Sequence, residues 1–176
     1  MNTILECLKY PIRKFQKLNS ISENNLNVWI SVIENSPNKI KSTIQNLSVE
    51  QLNLVDRPDG LSIKQVILHC ADSNMNSLIS FKLAQTEDLP IIKPYDKSLR
   101  ATLTDANSND LQSSIQIIEG VHLRWVLILK SFTKVEFSKQ FLHPESGKVF
   151  ELDEVLGLYT WHCNHHFTPI EQALKC

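Results

Sequence analysis

His162 and His166 stand four residues apart in the segment WHCNHH, so on a helix their imidazoles leave one face about one turn apart. That is a chelating pair. The spacing is the one used by the HExxH zinc motif, but this chain reads H-C-N-H-H and lacks the glutamate, so the match is to geometry alone. An i,i+4 histidine pair by itself is commonly a surface or satisfied core feature. His69, almost a hundred positions earlier, falls independently on the inward stripe of another helical segment. Burying an imidazole without a partner costs roughly 1–3 kcal/mol, so three that face one interior need something to satisfy them. A divalent metal does so directly. All-imidazole ligation suits zinc or nickel and leaves a coordination position open. An ion there lowers the pKa of a bound water toward about 7 and would equally hold a thiol as thiolate, so hydrolysis and thiol transfer follow from one site.

The neighbouring residues take lesser roles. Asp72 lies one turn after His69, placed either to accept that ring's second N–H or to serve as a solvent-facing or helix-pairing carboxylate. His165 points about 100° away from His166 and is read as a supporting or surface residue, His122 as packing, and His143 as part of a turn. Cys70 and Cys163 each follow a candidate ligand, and the same rotation turns them away from the ion, which leaves them as small core residues. With Cys7 and Cys176 they make four dispersed cysteines without a CxxC pair, which fits free thiols in a reducing compartment.

Four helical patterns must position these groups. The first runs from Ser22, a candidate N-cap, through Leu26, Trp29, Ile30, Ile33, Ile40, Ile44 and Leu47, with Pro37 predicting a kink or short break near Asn35. A second helix is expected from Ser62, which pairs with Gln65 as a capping box, to about Ala84. Its inward stripe of Val66, His69, Ser73, Asn76, Ser80 and Leu83 is too polar for packing alone. Thr86 to Asn109 has no sustained period, and a connection this long inside a compact domain is usually functional, so it is expected to cover a site. A third helix carries Leu111, Ile115, Ile118, His122, Trp125, Leu129 and Phe132 on one face. Phe137 to Leu152 reads as a small accessory β-hairpin turning around Pro144 to Gly147. The fourth helix is expected from Asp153, as its cap, with Val155, Tyr159, His162, His166 and Ile170 aligned; Pro169 should kink or end it just past the histidines. The sum is an all-α four-helix bundle, whose metal sites are built by side chains on facing helices, and the long second connection allows a non-sequential helix order.

Length and composition set the outer limits. A chain of 176 residues with 42% hydrophobic and 21% charged residues fits a single globular domain, 1–176, with an N-terminal arm over 1–21 and the bundle over 22–174. A formal charge of −1 with scattered basic residues argues against nucleic acid as a partner. The start has no signal-peptide core, and no apolar run is long enough for a membrane, so a soluble cytoplasmic protein is expected.

The chain also resembles the YfiT-like branch of the DinB superfamily, described as metal-dependent hydrolases and linked to bacillithiol S-transferases. The resemblance spans nearly the whole sequence, through KYPIRKF, RPDGLSIKQVILHCADSNMN, FKLAQTEDLPIIKPYD, HLRW and FLHPESGKVFELDEVLGLYTWHCNHH in that order. It implies a DinB-like bundle with up-down-down-up helix order, a mononuclear nickel or zinc site, and a homodimer. His69, in H-x-x-D with Asp72, and the pair His162 and His166 stand where that family's ligands stand. Leu61, Leu68, Asn74, Arg100 and Pro169 depart from its pattern, which concerns the pocket more than the metal.

The leading expectation is a hydrolase whose ion, on His69, His162 and His166, activates water against a small electrophilic substrate. The alternatives are a thiol S-transferase using the same ion on a low-molecular-weight thiol, and a non-catalytic metal- or ligand-binding bundle.

Overall fold

The structure, a computed structural model, describes residues 10–55, 57–58 and 60–174. Cys7 and Cys176 lie outside these residues. Four long helices carry the fold: α1 (Glu23–Ile44), α2 (Ile63–Thr86), α3 (Gln112–Ser131) and α4 (Leu152–Ala173). Short helical turns at Val49–Leu52, Lys97–Arg100 and Lys134–Phe137 interrupt the connections, with a 3-10 turn at Asp105–Asn107. The hairpin is a two-stranded antiparallel sheet of β1 (Gln140–His143) and β2 (Lys148–Glu151), paired Phe141 to Phe150. Its turn closes at Gly147, whose φ of 62° is a left-handed conformation that glycine adopts without strain. The hairpin is shorter than the sequence pattern suggests, because Phe137 ends a helical turn capped by Thr133.

Helix starts follow local chemistry. Ser22 and Ser62 cap α1 and α2 as capping boxes with Asn25 and Gln65. Helix α4 departs from expectation: it starts a residue earlier, Glu151 is its N-cap without a side-chain bond, and Asp153 sits inside the first turn. There its charge still complements the helix dipole.

Each long helix packs against two others, α1 and α2 both against α3 and α4, so α1 and α2 lie across the diagonal. Side-chain pairs fix the directions. Lys41 to Glu119 and Lys130 to Glu34 run α3 antiparallel to α1, while Asn74 to His122 and Phe81 to Trp125 run α2 parallel to α3. His69 with His166, and Ser73 with Tyr159, run α4 antiparallel to α2. The order is therefore up-down-down-up. Since α2 and α3 are parallel neighbours, the chain between them must return along the bundle, about 36 Å for a 24-residue helix. The long irregular connection is a consequence of topology.

Two apolar clusters fill the bundle, one around Ile33, Phe81, Trp125 and Leu156, the other around Ile44, Ile67, Ile118 and Phe167. A polar belt of Ser36, Ser73, Asn74, Ser77, His122 and Thr160 separates them. Helix α1 crosses this belt as one continuous helix through Pro37, without the short break weighed near Asn35. Pro37 has no N–H for the Ile33 carbonyl one turn back, and His122 of α3 supplies the missing donor, Nδ1 2.6 Å from that oxygen. This fixes the tautomer, so Nε2 accepts from Asn74 Nδ2 at 2.7 Å. His122 is thus a buried hydrogen-bonding bridge rather than mere packing. Helix α4 likewise continues past Pro169 to Ala173, because Phe167, Pro169 and Ile170 are buried there.

At Gly157, α4 packs closely on Trp29 of α1: a Cβ would stand 2.9 Å from Cη2 of Trp29. Gly157→Ala gains roughly 0.5–1 kcal/mol of helix propensity and loses roughly 1–3 kcal/mol by displacing the packed indole. The expected net result is a loss of about 1 kcal/mol, read as a lower urea midpoint at unchanged slope.

Candidate metal centre

His162 and His166 project from α4, and His69 from the opposed turn of α2, because the antiparallel α2–α4 seam brings the second turn of one helix to the later turns of the other. One ring nitrogen of each lies within 4.8 Å of the other two. The rings stand 4.4 to 5.3 Å apart between centroids, tilted or edge-on rather than stacked. His69 Nε2 and His162 Nε2 are 3.2 Å apart, close to the separation of roughly 3.3 Å that two nitrogens take on a tetrahedral zinc with bonds of about 2.0–2.1 Å. The three rings are partly buried within the bundle.

The electrostatics favour neutral imidazoles. Burial, with Lys97 and His165 adding positive charge, lowers His69 to about 4. His162 and His166 fall well below the usual histidine value, first through burial and then through the charges of their neighbours. A neutral ring offers a lone pair, which is what a metal requires, so the donor set fits a divalent ion of the zinc or nickel type.

The triad opens into a cavity of about 570 Å³. Leu61, Trp161 and Pro169 form apolar walls, and Lys97 and Arg57 bring positive charge. No carboxylate lines it among the described residues. Lys97 comes from the α2–α3 connection, so that segment does cover the site as its length suggests. Sequence reasoning missed Lys97, since a lysine in an aperiodic stretch carries no spacing signal. It also understated His165, which lines the same cavity with its ring stacked on Trp161 at 4.4 Å and on Tyr10 at 5.8 Å.

Asp72 is placed differently from the role weighed for it. Its carboxylate meets Arg100 Nη1 at 2.9 Å rather than a ring nitrogen of His69. Arg100 in turn lies over the Tyr95 ring at 3.9 Å, which pins the long connection to α2. Behind the triad, Ser73 Oγ is 3.5 Å from His162 Nε2 and 3.4 Å from Tyr159 Oη. Cys70 and Cys163 form no disulfide, and burial raises both thiols, Cys163 to about 11, so neither is a reactive thiolate. His143 ends β1 beside Phe150 rather than lying in the turn itself. Among the described residues, no helix is long and apolar enough to cross a membrane.

Comparison with known proteins agrees with this architecture. The DinB superfamily matches residues 33–170. The chain is 37% identical over 168 residues to "Putative metal-dependent hydrolase YfiT" of Bacillus subtilis (strain 168), covering 96% of this chain and 94% of that protein. It is 40% identical over 167 residues to "Putative metal-dependent hydrolase OB0782" of Oceanobacillus iheyensis, covering 95% and 96%. The solved structure of YfiT from Bacillus subtilis, described as having an unusual four-helix bundle topology, aligns with a TM-score of 0.92 at 36% identity, over 96% of this chain and 97% of that one. With its fold and its sequence in agreement, the chain belongs to the DinB superfamily.

Proposed function

We propose that His69, His162 and His166 hold one zinc or nickel ion and that the protein is a metal-dependent hydrolase acting on a small, anionic, electrophilic substrate. The observation that carries this reading is the convergence of three neutral imidazoles from two helices on the floor of an open cavity. An ion held there supplies Lewis acidity, lowering the pKa of a coordinated water toward about 7. The chain's own residues do the rest. Lys97 and Arg57 draw and orient a negatively charged group, Leu61, Trp161 and Pro169 shed water from its apolar part, and His165, held flat by Trp161, is placed to carry a proton within the cavity.

One observation favours a second reading, transfer of a low-molecular-weight thiol to the electrophile. The cavity has no carboxylate among its described lining residues to serve as general base for water, whereas a thiol needs only an ion to hold it as thiolate. A panel of esters and amides, with and without carboxylate or phosphate groups, run beside conjugation of thiols to an electrophilic fluorogenic probe, separates the two. Hydrolysis of the anionic members is expected, abolished in His162→Ala and with KM raised about tenfold in Lys97→Ala. Conjugation without hydrolysis selects the thiol reading, and full activity in His162→Ala rejects both.

A further inference from the structure

Residues 10–21, ahead of α1, form no helix or strand, yet they are fixed along α4. Lys17 Nζ meets Glu154 Oε2 at 2.7 Å, and the Phe15 ring stands 6.4 Å from that of Trp161. Trp161 Nε1 donates to the Arg13 carbonyl at 2.9 Å, and the Tyr10 ring stacks on His165 at 5.8 Å. Glu154, Trp161 and His165 follow one another at helical spacing, so they share one stripe of α4. The arm therefore runs antiparallel to α4 and delivers Tyr10 to the metal end, where the His165 ring lies 5.0 Å from that of His166.

Holding the chain this way is costly. Ordering an extended segment loses backbone entropy, and Arg13 sits at φ 67°, a left-handed conformation uncommon outside glycine. Its N–H closes a turn onto the Tyr10 carbonyl at 2.9 Å, and its own carbonyl is the one Trp161 engages. Strain of this kind persists only where the surroundings over-determine it, and it gathers at binding sites. Here the strained turn leads into the cavity of the triad, which Tyr10, Trp161 and His165 all line. All three are only partly buried, so their rings are open to an occupant.

The rest of the lining sets the class of that occupant. Leu54, Leu61 and Pro169 add apolar surface, Lys97 and Arg57 bring positive charge, and about 570 Å³ falls within the roughly 300–1,000 Å³ of small-molecule sites. A flat ring gains most from aromatic walls, and walls set in place beforehand cost the ligand no ordering.

We propose that the arm is the specificity wall of the metal centre, and that Tyr10, with Trp161 and His165, selects substrates carrying an aromatic ring beside the group that reacts. This rests on the reading of the triad as a metal centre and names the substrate class within it. Tyr10 and Trp161 meet the ring of the substrate, while Arg13, through its turn, positions Tyr10.

The test uses full-length protein loaded with cobalt(II), whose visible spectrum reports ligands joining the ion, titrated with acetohydroxamate, benzohydroxamate and cyclohexanecarbohydroxamate. The three share a metal-binding head and differ in what they bring to the wall. Wild type is expected to bind benzohydroxamate about tenfold more tightly than acetohydroxamate, with the cyclohexane compound, similar in bulk but not flat, between them. Tyr10→Ala should cut the preference for benzohydroxamate to about threefold or less. Trp161→Phe, which keeps a ring on α4 but removes the donor to the Arg13 carbonyl, should do the same. Equal affinity for the three ligands, no response to any of them, a cyclohexane ligand bound as tightly as benzohydroxamate, or a preference that survives in either variant overturns the proposal while the metal centre stands. A protein that binds no cobalt overturns the metal centre, and this proposal with it.

Discussion

His162→Ala is expected to empty the metal centre. Elemental analysis of untagged wild-type protein should give about one zinc or nickel per chain, and the variant well under half of that, because two imidazoles are a poor substitute for three. The three rings all face one another, with His162 3.2 Å from His69 between ring nitrogens and 4.4 Å from His166 between ring centroids, so its loss opens one side of the donor set. His162→Gln keeps most of the volume and should behave alike, which separates ligation from packing. Metal should also cease to protect the fold. A ligand at about a hundred times its Kd stabilises by roughly 2.7 kcal/mol, a gain wild type should show on zinc addition and neither variant should. A variant that retains full metal and full stabilisation would remove His162 from the site.

The second large effect concerns acid. His69, His162, His166 and His122 are all held below the usual histidine value, chiefly by burial, His69 at about 4. In metal-free protein at pH 7 both folded and unfolded chains carry these rings neutral, so nothing is lost. As pH falls through about 6.5 the unfolded chain takes up protons that the folded chain refuses, and each such histidine then costs about 1.4 kcal/mol per pH unit. The cost continues until the folded pKa is reached, near 4 for His69, with His162 and His166 also held well below the usual histidine value. Stability of EDTA-treated protein is therefore expected to be flat above about pH 7 and to fall by several kcal/mol between pH 6.5 and 4.5. Urea midpoints across that range measure it, and a flat profile would mean the rings are protonated in the fold. His122→Phe should shallow the slope by about one histidine's share while lowering stability at pH 7, since the Ile33 carbonyl and the Asn74 amide lose their partner.

Much of the framework was legible because its signals are local. The caps at Ser22 and Ser62, the periodic stripes and the i,i+4 pair act over one to three turns, and α1 and α2 start where those caps direct. That α1 and α4 run on through Pro37 and Pro169 was not legible, for the opposite reason. A proline's cost is written in its own residue, but the group that offsets it is not: the donor that completes the Ile33 carbonyl is His122, on another helix. Asp72 was similarly weighed by its distance along α2 from His69, when its partner is Arg100 across the long connection.

Residue spacing was enough for an all-helical bundle with His69, His162 and His166, like His122, on inward faces, since side-chain direction on a helix depends only on spacing. Packing of the helices settled that the first three meet at one centre. It also decided that Lys97 and His165 share their cavity and that the connection after α2 runs back along the bundle. Those outcomes depend on the relative direction of helices joined by long connections, and periodicity within one helix is blind to the direction of the next.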